Sequence, residues 1–190
     1  MRFVLDVATA IVIALILGAG TALFVLDQRS RDGSIMVGAW AAPSGQTAAA
    51  DPYAEAAAAI RVDLPLGAAE GLEFLATRDD IGNPLDAACD YVISGGVLPA
   101  RLWTLTLQDE VGLLVPNVSD RTGFHSRELL RTPDGNFAIT VSPEVWPGNW
   151  LPSGGTLPLR LVLRLYDTPL TTGLMPAGLA LPSITRGDCR

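Results

Sequence analysis

Lysine is absent from this chain of 190 residues, histidine occurs once and cysteine twice. All thirteen basic residues are therefore arginine, which we read as a bias of genome composition. One histidine and two distant cysteines cannot form a zinc ribbon, a CxxC redox pair or an HExxH helix. No GxSxG elbow occurs, so the usual strand-to-helix setting of a hydrolase serine is missing as well. Positive charge is also short: the formal net charge is -7. Residues 1–50 balance three Arg against three acids, which leaves the whole acidic excess in residues 51–190. Such a domain is repelled by a phosphate backbone, so nucleic acid is a poor candidate partner and none is expected. No motif implies a cofactor.

What the chain does have is one long apolar run. Val7 to Leu26 carries no charge. At 1.5 Å per residue it spans about 30 Å as a helix, the thickness of a bilayer's hydrocarbon core. Ala19 to Ala22 are small enough for signal-peptide cleavage, but Leu23-Phe24-Val25-Leu26 extend the run past an ordinary signal core. We expect an uncleaved single-pass anchor, with residues 7–26 in a bacterial inner membrane. Arg29 and Arg31 after the helix, against Arg2 before it, favour a cytoplasmic C-terminal domain. Asp27 and Asp32 dilute that signal, and a lone disulfide-capable pair fits an oxidising compartment. The expected orientation is therefore N-terminus inside, with the C-terminal domain in the periplasm.

The organisation read from the chain is a cytoplasmic end and membrane helix over 1–30, a tether over 31–50 and one domain over 51–190. Residues 33–50 have few large side chains with which to build a core. Asp51-Pro52 reads as an N-cap followed by proline at the first helical position, predicting a short helix to about Val62. After Gly67 the chain reads as seven or eight short strands between turn signals. The clearest runs from Leu157 to Tyr166. Leu157, Leu159, Leu161, Leu163 and Leu165 share one face, and Arg160, Val162, Arg164 and Tyr166 the other. A row of leucines at period two needs an opposing apolar surface. The fold class expected is therefore all-β, an antiparallel jelly-roll-like β-sandwich preceded by one transmembrane helix and one short helix.

Several local patterns, in order along the chain, carry a resemblance. Glu70-Gly71, Asp80 with Gly82 and Pro84-Leu85, Cys89-Asp90-Tyr91 and Trp103-Thr104-Leu105 are followed by Asp134-Gly135 and Asn149-Trp150-Leu151-Pro152. Leu163-Arg164-Leu165-Tyr166 and Pro182-Ser183-Ile184 complete the set. Over roughly residues 65–190 the chain resembles the bacterial domain-of-unknown-function 1214 family, especially its short membrane-anchored members. The resemblance implies a β-sandwich of jelly-roll kind, found in larger relatives with a domain of the 1254 family. It implies no established activity.

Four groups of residues are candidates for function. Asn149 and Trp150, with Trp146 nearby, suit a sugar platform, since an indole face meets a pyranose and an amide bonds its hydroxyls. The alternative is a loop plugged by an indole, with Asn149 capping backbone groups. Arg160, Arg164 and Tyr166 share a strand face, the two arginines about 13 Å apart, and would clamp a carboxylate or acidic glycan unless they pair with acids on neighbouring strands. His125 beside Ser126 suggests a triad but reads better as a surface histidine. Asp79, Asp80 and Asp86 lack calcium-loop spacing and read as turn carboxylates, so no metal site is expected. Cys89 and Cys189 would close a loop of roughly 100 residues, worth about 4–5 kcal/mol as a disulfide, or else are two separate thiols. The function expected is a non-catalytic binding module for an envelope glycan or for a membrane or periplasmic protein. The alternatives are a hydrolase or lyase using Asp80 or Asp90 with an arginine, and an accessory subunit of a 1254-family protein.

Overall fold

The computed structural model describes residues 2–31, 35–42, 66–67, 70–154, 158–172 and 178–189. The helix expected from Asp51 to Val62 lies outside these residues, as does Leu157.

Helix α1 runs over Arg2–Arg31, and its Arg2–Phe24 part, with mean hydropathy 2.4, is long and apolar enough to cross a membrane. Its polar interruptions are silenced locally: Thr9 Oγ1 donates to Leu5 O at 2.8 Å and Thr21 Oγ1 to Leu17 O at 2.8 Å. A hydroxyl that bonds the preceding turn exposes no unmet polar group on the helix surface.

The remaining described elements are strands and one 3-10 turn. They are β1 (Ile35–Val37), β2 (Trp40–Ala42), β3 (Gly71–Ala76), β4 (Cys89–Gly95), β5 (Leu102–Asp109), β6 (Gly123–His125), β7 (Phe137–Ser142), β8 (Trp150–Pro152), β9 (Leu159–Tyr166) and β10 (Ser183–Cys189). They form two sheets, ordered β1-β2-β3-β9-β5-β6 and β10-β4-β7-β8. The expected leucine strand is β9, paired antiparallel to β3 on one side and β5 on the other. Leu159, Leu161, Leu163 and Leu165 are buried against a core that includes Tyr91, Ile93, Ile139, Leu151 and Ile184 of the second sheet. The opposing apolar surface demanded by the leucine row is thus a second sheet, and the fold is an all-β sandwich.

Two readings need correction. Ile35–Ala42 lies within the stretch read as a tether, yet β1 and β2 form a hairpin whose Ala41 pairs with Leu75 of β3. One large side chain is enough to dock it. Trp40 is 1% exposed, and its indole N–H donates to Pro182 O at 2.6 Å. Gly148 to Pro152, read as a loop in an antiparallel sandwich, ends in β8, which runs parallel to β7. The chain folds back after Ser142, with Gly148 at φ +86°, so that Trp150 lies opposite Thr140. Parallel neighbours normally need a long crossover. Here a strand of only three residues at the sheet edge is reached by a short loop.

Candidate functional site: a groove beside Asn149 and a buried arginine face

Asn149 is 8% exposed, and its amide is committed to the fold. Its Oδ1 accepts from Leu130 N at 2.8 Å, while its Nδ2 donates to Leu130 O and Ala138 O, both at 2.9 Å. The side chain therefore joins the 130 segment to β7, which is the capping alternative realised. Trp150 donates its indole N–H to Ser142 O at 3.1 Å and is half-buried. Trp146 is 44% exposed.

Asn149 also lines one of two open basins that together form a groove. One basin, of about 300 Å³, is lined by Leu130, Arg131, Thr132, Asn136, Pro147 and Asn149 among others. A second, of about 220 Å³, is lined by Val97, Leu98, Trp103, Ser126, Arg131 and Gly135 among others. Arg131 belongs to both. Its Nη1 donates to Gly135 O at 2.7 Å and its Nη2 to Ser126 O at 3.4 Å, and its guanidinium carbon lies 5.3 Å from the centroid of the Phe137 ring. Two carbonyls and an aromatic face thus hold the cation in place. A guanidinium carries five N–H donors, so Arg131 keeps others for a ligand. No sequence pattern singles out Arg131; its place follows from the Arg131↔Phe137 bridge beside the Asp134-Gly135 turn.

The second candidate set lies elsewhere. Arg160, Arg164 and Tyr166 occupy the face of β9 opposite the leucines, in the middle of the six-stranded sheet, whereas Asn149 and Trp150 sit at an edge of the other sheet. The structure therefore divides these residues between two places. Register sets Glu73, Arg164, Thr104 and His125 in one row across β3, β9, β5 and β6. Arg164 Nε donates to Glu73 Oε2 at 2.6 Å, in an ion pair whose carboxylate side is buried. Arg160 is 9% exposed, and its Nε donates to Gln108 Oε1 at 3.0 Å. Tyr166 lies opposite Gly71 and Leu102 and is half-buried. Cross-strand pairing with an acid thus describes Arg164, while Arg160 pairs with a carboxamide.

The remaining candidates each serve a local role. His125 Nε2 lies 3.3 Å from Glu128 Oε2, and its Nδ1 accepts from Arg127 N, while Ser126 Oγ accepts from Trp103 N. Serine and histidine are turned to different partners. Asp79 Oδ1 accepts from Ile81 N and Asn83 N; Asp80 Oδ2 accepts from Ile184 N; Asp86 Oδ1 accepts from Ala88 N. Three separate backbone caps result, and no group of three metal-ligating side chains occurs among the described residues. Among the described residues two ionisable groups are displaced. Burial pushes the Tyr91 phenol above its ordinary value, and hydrogen bonds from Thr132 and Asn136 hold Asp134 below the usual carboxylate range.

Cys89 and Cys189 form a disulfide between β4 and β10, where they face each other in register. The family described as "Protein of unknown function (DUF1214)" matches residues 70–170, from the start of β3 to the 3-10 turn after β9. The chain belongs to the DUF1214 family. No curated protein sequence matches it significantly. Among solved structures it is similar to the VPA0106 protein from Vibrio parahaemolyticus, at 20% identity and a TM-score of 0.56, over 77% of this chain and 37% of that one. An uncharacterised protein from Burkholderia cenocepacia is matched at 18% identity and a TM-score of 0.40, over 93% of this chain and 52% of that one. This DUF1214 chain therefore spans about a third to a half of the structures it matches, and the first of them supports the fold alone.

Proposed function

We propose that this DUF1214 protein is a membrane-anchored binding module whose ligand is a cell-envelope glycan seated in the groove around Arg131. The observation that carries the reading is the fixed guanidinium between two basins lined by apolar and amide-bearing side chains. A pyranose offers an apolar face to such walls and hydroxyls or a carboxylate to the cation. Asn149 and Trp150 then support the groove by holding its wall, and Arg160 and Arg164 stabilise a sheet face away from it. In the same reading α1 is an inner-membrane anchor and the sandwich lies in the periplasm, where a Cys89–Cys189 bond persists.

The test is a thermal-shift screen of the full chain in detergent micelles against envelope oligosaccharides, with Arg131→Ala compared throughout. A ligand that binds only the folded state, at about a hundred times its Kd, stabilises by about 2.7 kcal/mol. A shift in the wild type that Arg131→Ala loses, while still folded, supports the groove. Shifts that survive Arg131→Ala refute it, and the absence of any shift favours a protein partner, to be sought by cross-linking in cells. Orientation is tested by fusing a periplasm-dependent phosphatase after Arg190; an inactive fusion would overturn the periplasmic assignment.

A further inference from the structure

The disulfide has asymmetric surroundings. Cys89 is 1% exposed, in the core on β4, whereas Cys189, opposite it on the edge strand β10, is exposed. One guanidinium lies against both sulfurs: Arg186 Nη2 is 2.8 Å from Cys89 Sγ, and Arg186 Nε is 3.1 Å from Cys189 Sγ. The hydrogen bonds of the Arg186 side chain thus go to sulfur, although a disulfide sulfur is a weak, uncharged acceptor. That placement is of more use to a thiolate, which a neighbouring arginine stabilises.

We infer that Cys89–Cys189 is a site of thiol–disulfide exchange with a dithiol reductant, directed by Arg186. The attacking thiolate reaches the exposed sulfur, and a bond forms between it and Cys189 Sγ. The Cys89–Cys189 bond breaks, and its electron pair leaves on Cys89 Sγ as a thiolate held beneath Arg186. The reductant's second thiol then attacks its own sulfur in the mixed disulfide and expels Cys189. The reductant ends as a disulfide, the protein as a dithiol, and two electrons have passed. A leaving thiolate departs faster when its charge is stabilised, which is the contribution of the guanidinium. Two further ionisable groups follow Cys89 in β4: Asp90, whose Cβ lies 3.4 Å from a Cβ built on Gly187, and buried Tyr91, which pairs with Arg186 across the strands.

The consequence for the fold is confined to one strand end. Between Arg186 and Cys189 the register of β10 on β4 shifts, and past that irregularity the covalent bond reinforces a single paired position, Cys189 opposite Cys89. Residues 183–186 keep their pairing with β4, and Ile184 N still donates to Asp80 Oδ2 at 2.8 Å. Reduction is thus expected to release residues 187–189 and leave the sandwich folded.

The experiment uses the full oxidised chain in micelles. Brief treatment with glutathione, an acid quench and alkylation of free thiols are followed by peptide mass analysis. Glutathione on Cys189 with the alkyl group on Cys89 is expected; adducts on Cys89, or on both equally, overturn the assignment. Reduction by dithiothreitol is then timed. Arg186→Gln should slow it by about tenfold and Arg186→Lys by less, because the lysine keeps the charge and loses the fork. Reduction of Arg186→Gln at the wild-type rate or faster, with an unchanged urea midpoint in the oxidised form, overturns the role of the arginine. Should Arg186→Gln fail to fold, the Arg186→Lys rate and the wild-type adduct decide, and an unchanged rate in Arg186→Lys counts against the proposal.

Discussion

Replacing Asn149 by alanine separates a structural amide from a ligand-binding one. The side chain makes three hydrogen bonds, to Leu130 N, Leu130 O and Ala138 O, in a position 8% exposed. Each is worth about 1 kcal/mol net, and a buried amide or carbonyl left without a partner costs about 1–3 kcal/mol. Water will enter from the groove and recover part of this, so the expected loss is about 3 kcal/mol for Asn149→Ala. Asn149→Asp should cost at least as much, because it keeps the acceptor for Leu130 N but sets a carboxylate against two carbonyl oxygens. Urea unfolding followed by tryptophan fluorescence reads the sandwich directly, since Trp40 and Trp103 are buried in its core. The midpoint should fall with little change in slope. Amide exchange gives the local check: Leu130 N–H, whose acceptor is Asn149 Oδ1, should lose its protection in the alanine variant. A loss below about 1 kcal/mol, or a Leu130 amide as protected as before, would refute the assignment of Asn149 to the fold and return it to the ligand.

Removing the disulfide by Cys89→Ala with Cys189→Ala should destabilise the sandwich by about 4.7 kcal/mol at most, the chain-entropy value for a closed loop of this length; reducing and non-reducing urea titrations check it. Tyr91 sets an alkaline limit. Its folded pKa is raised, so its stabilisation is complete below the unfolded value of 10.0 and is lost as pH rises through the folded value. The urea midpoint should decline above pH 10, and Tyr91→Phe should remove that part of the decline. Gly112→Ala is expected to cost about 1–3 kcal/mol, since the residue has φ +96° and a Cβ there would lie 2.1 Å from Arg160 Nη2; calorimetry of the variant measures it, and an unchanged Tm would refute both the backbone strain and the clash.

Periodicity carried most of the fold. The uncharged run from Val7, the alternation in Leu159–Tyr166 and the turn at Asp79–Asn83 are each patterns contained in a short stretch, and each stands where the chain predicts it. Trp40 escaped notice because a lone tryptophan among small residues has no period, and its partner, Pro182 O, lies far along the chain. β8 was read as loop for a similar reason: its Pro/Gly surroundings signal a turn, while its pairing with β7 depends on a fold-back that no local pattern encodes.

The candidate sites divide along the same line. Composition alone argued against zinc, nucleic-acid and common hydrolase chemistry, and chain order alone put Arg160, Arg164 and Tyr166 on one face. The tertiary structure decided which arginine meets a carboxylate, since Glu73 reaches Arg164 through the register of β3 on β9 and Gln108 reaches Arg160 through that of β5. It also turned Asn149 toward backbone and brought Arg131 to the groove and Arg186 to both sulfurs. Side-chain type and spacing are properties of a short stretch and can be read from it; the partner of a polar atom is set by strands distant in sequence, and only the folded chain brings them within 3 Å.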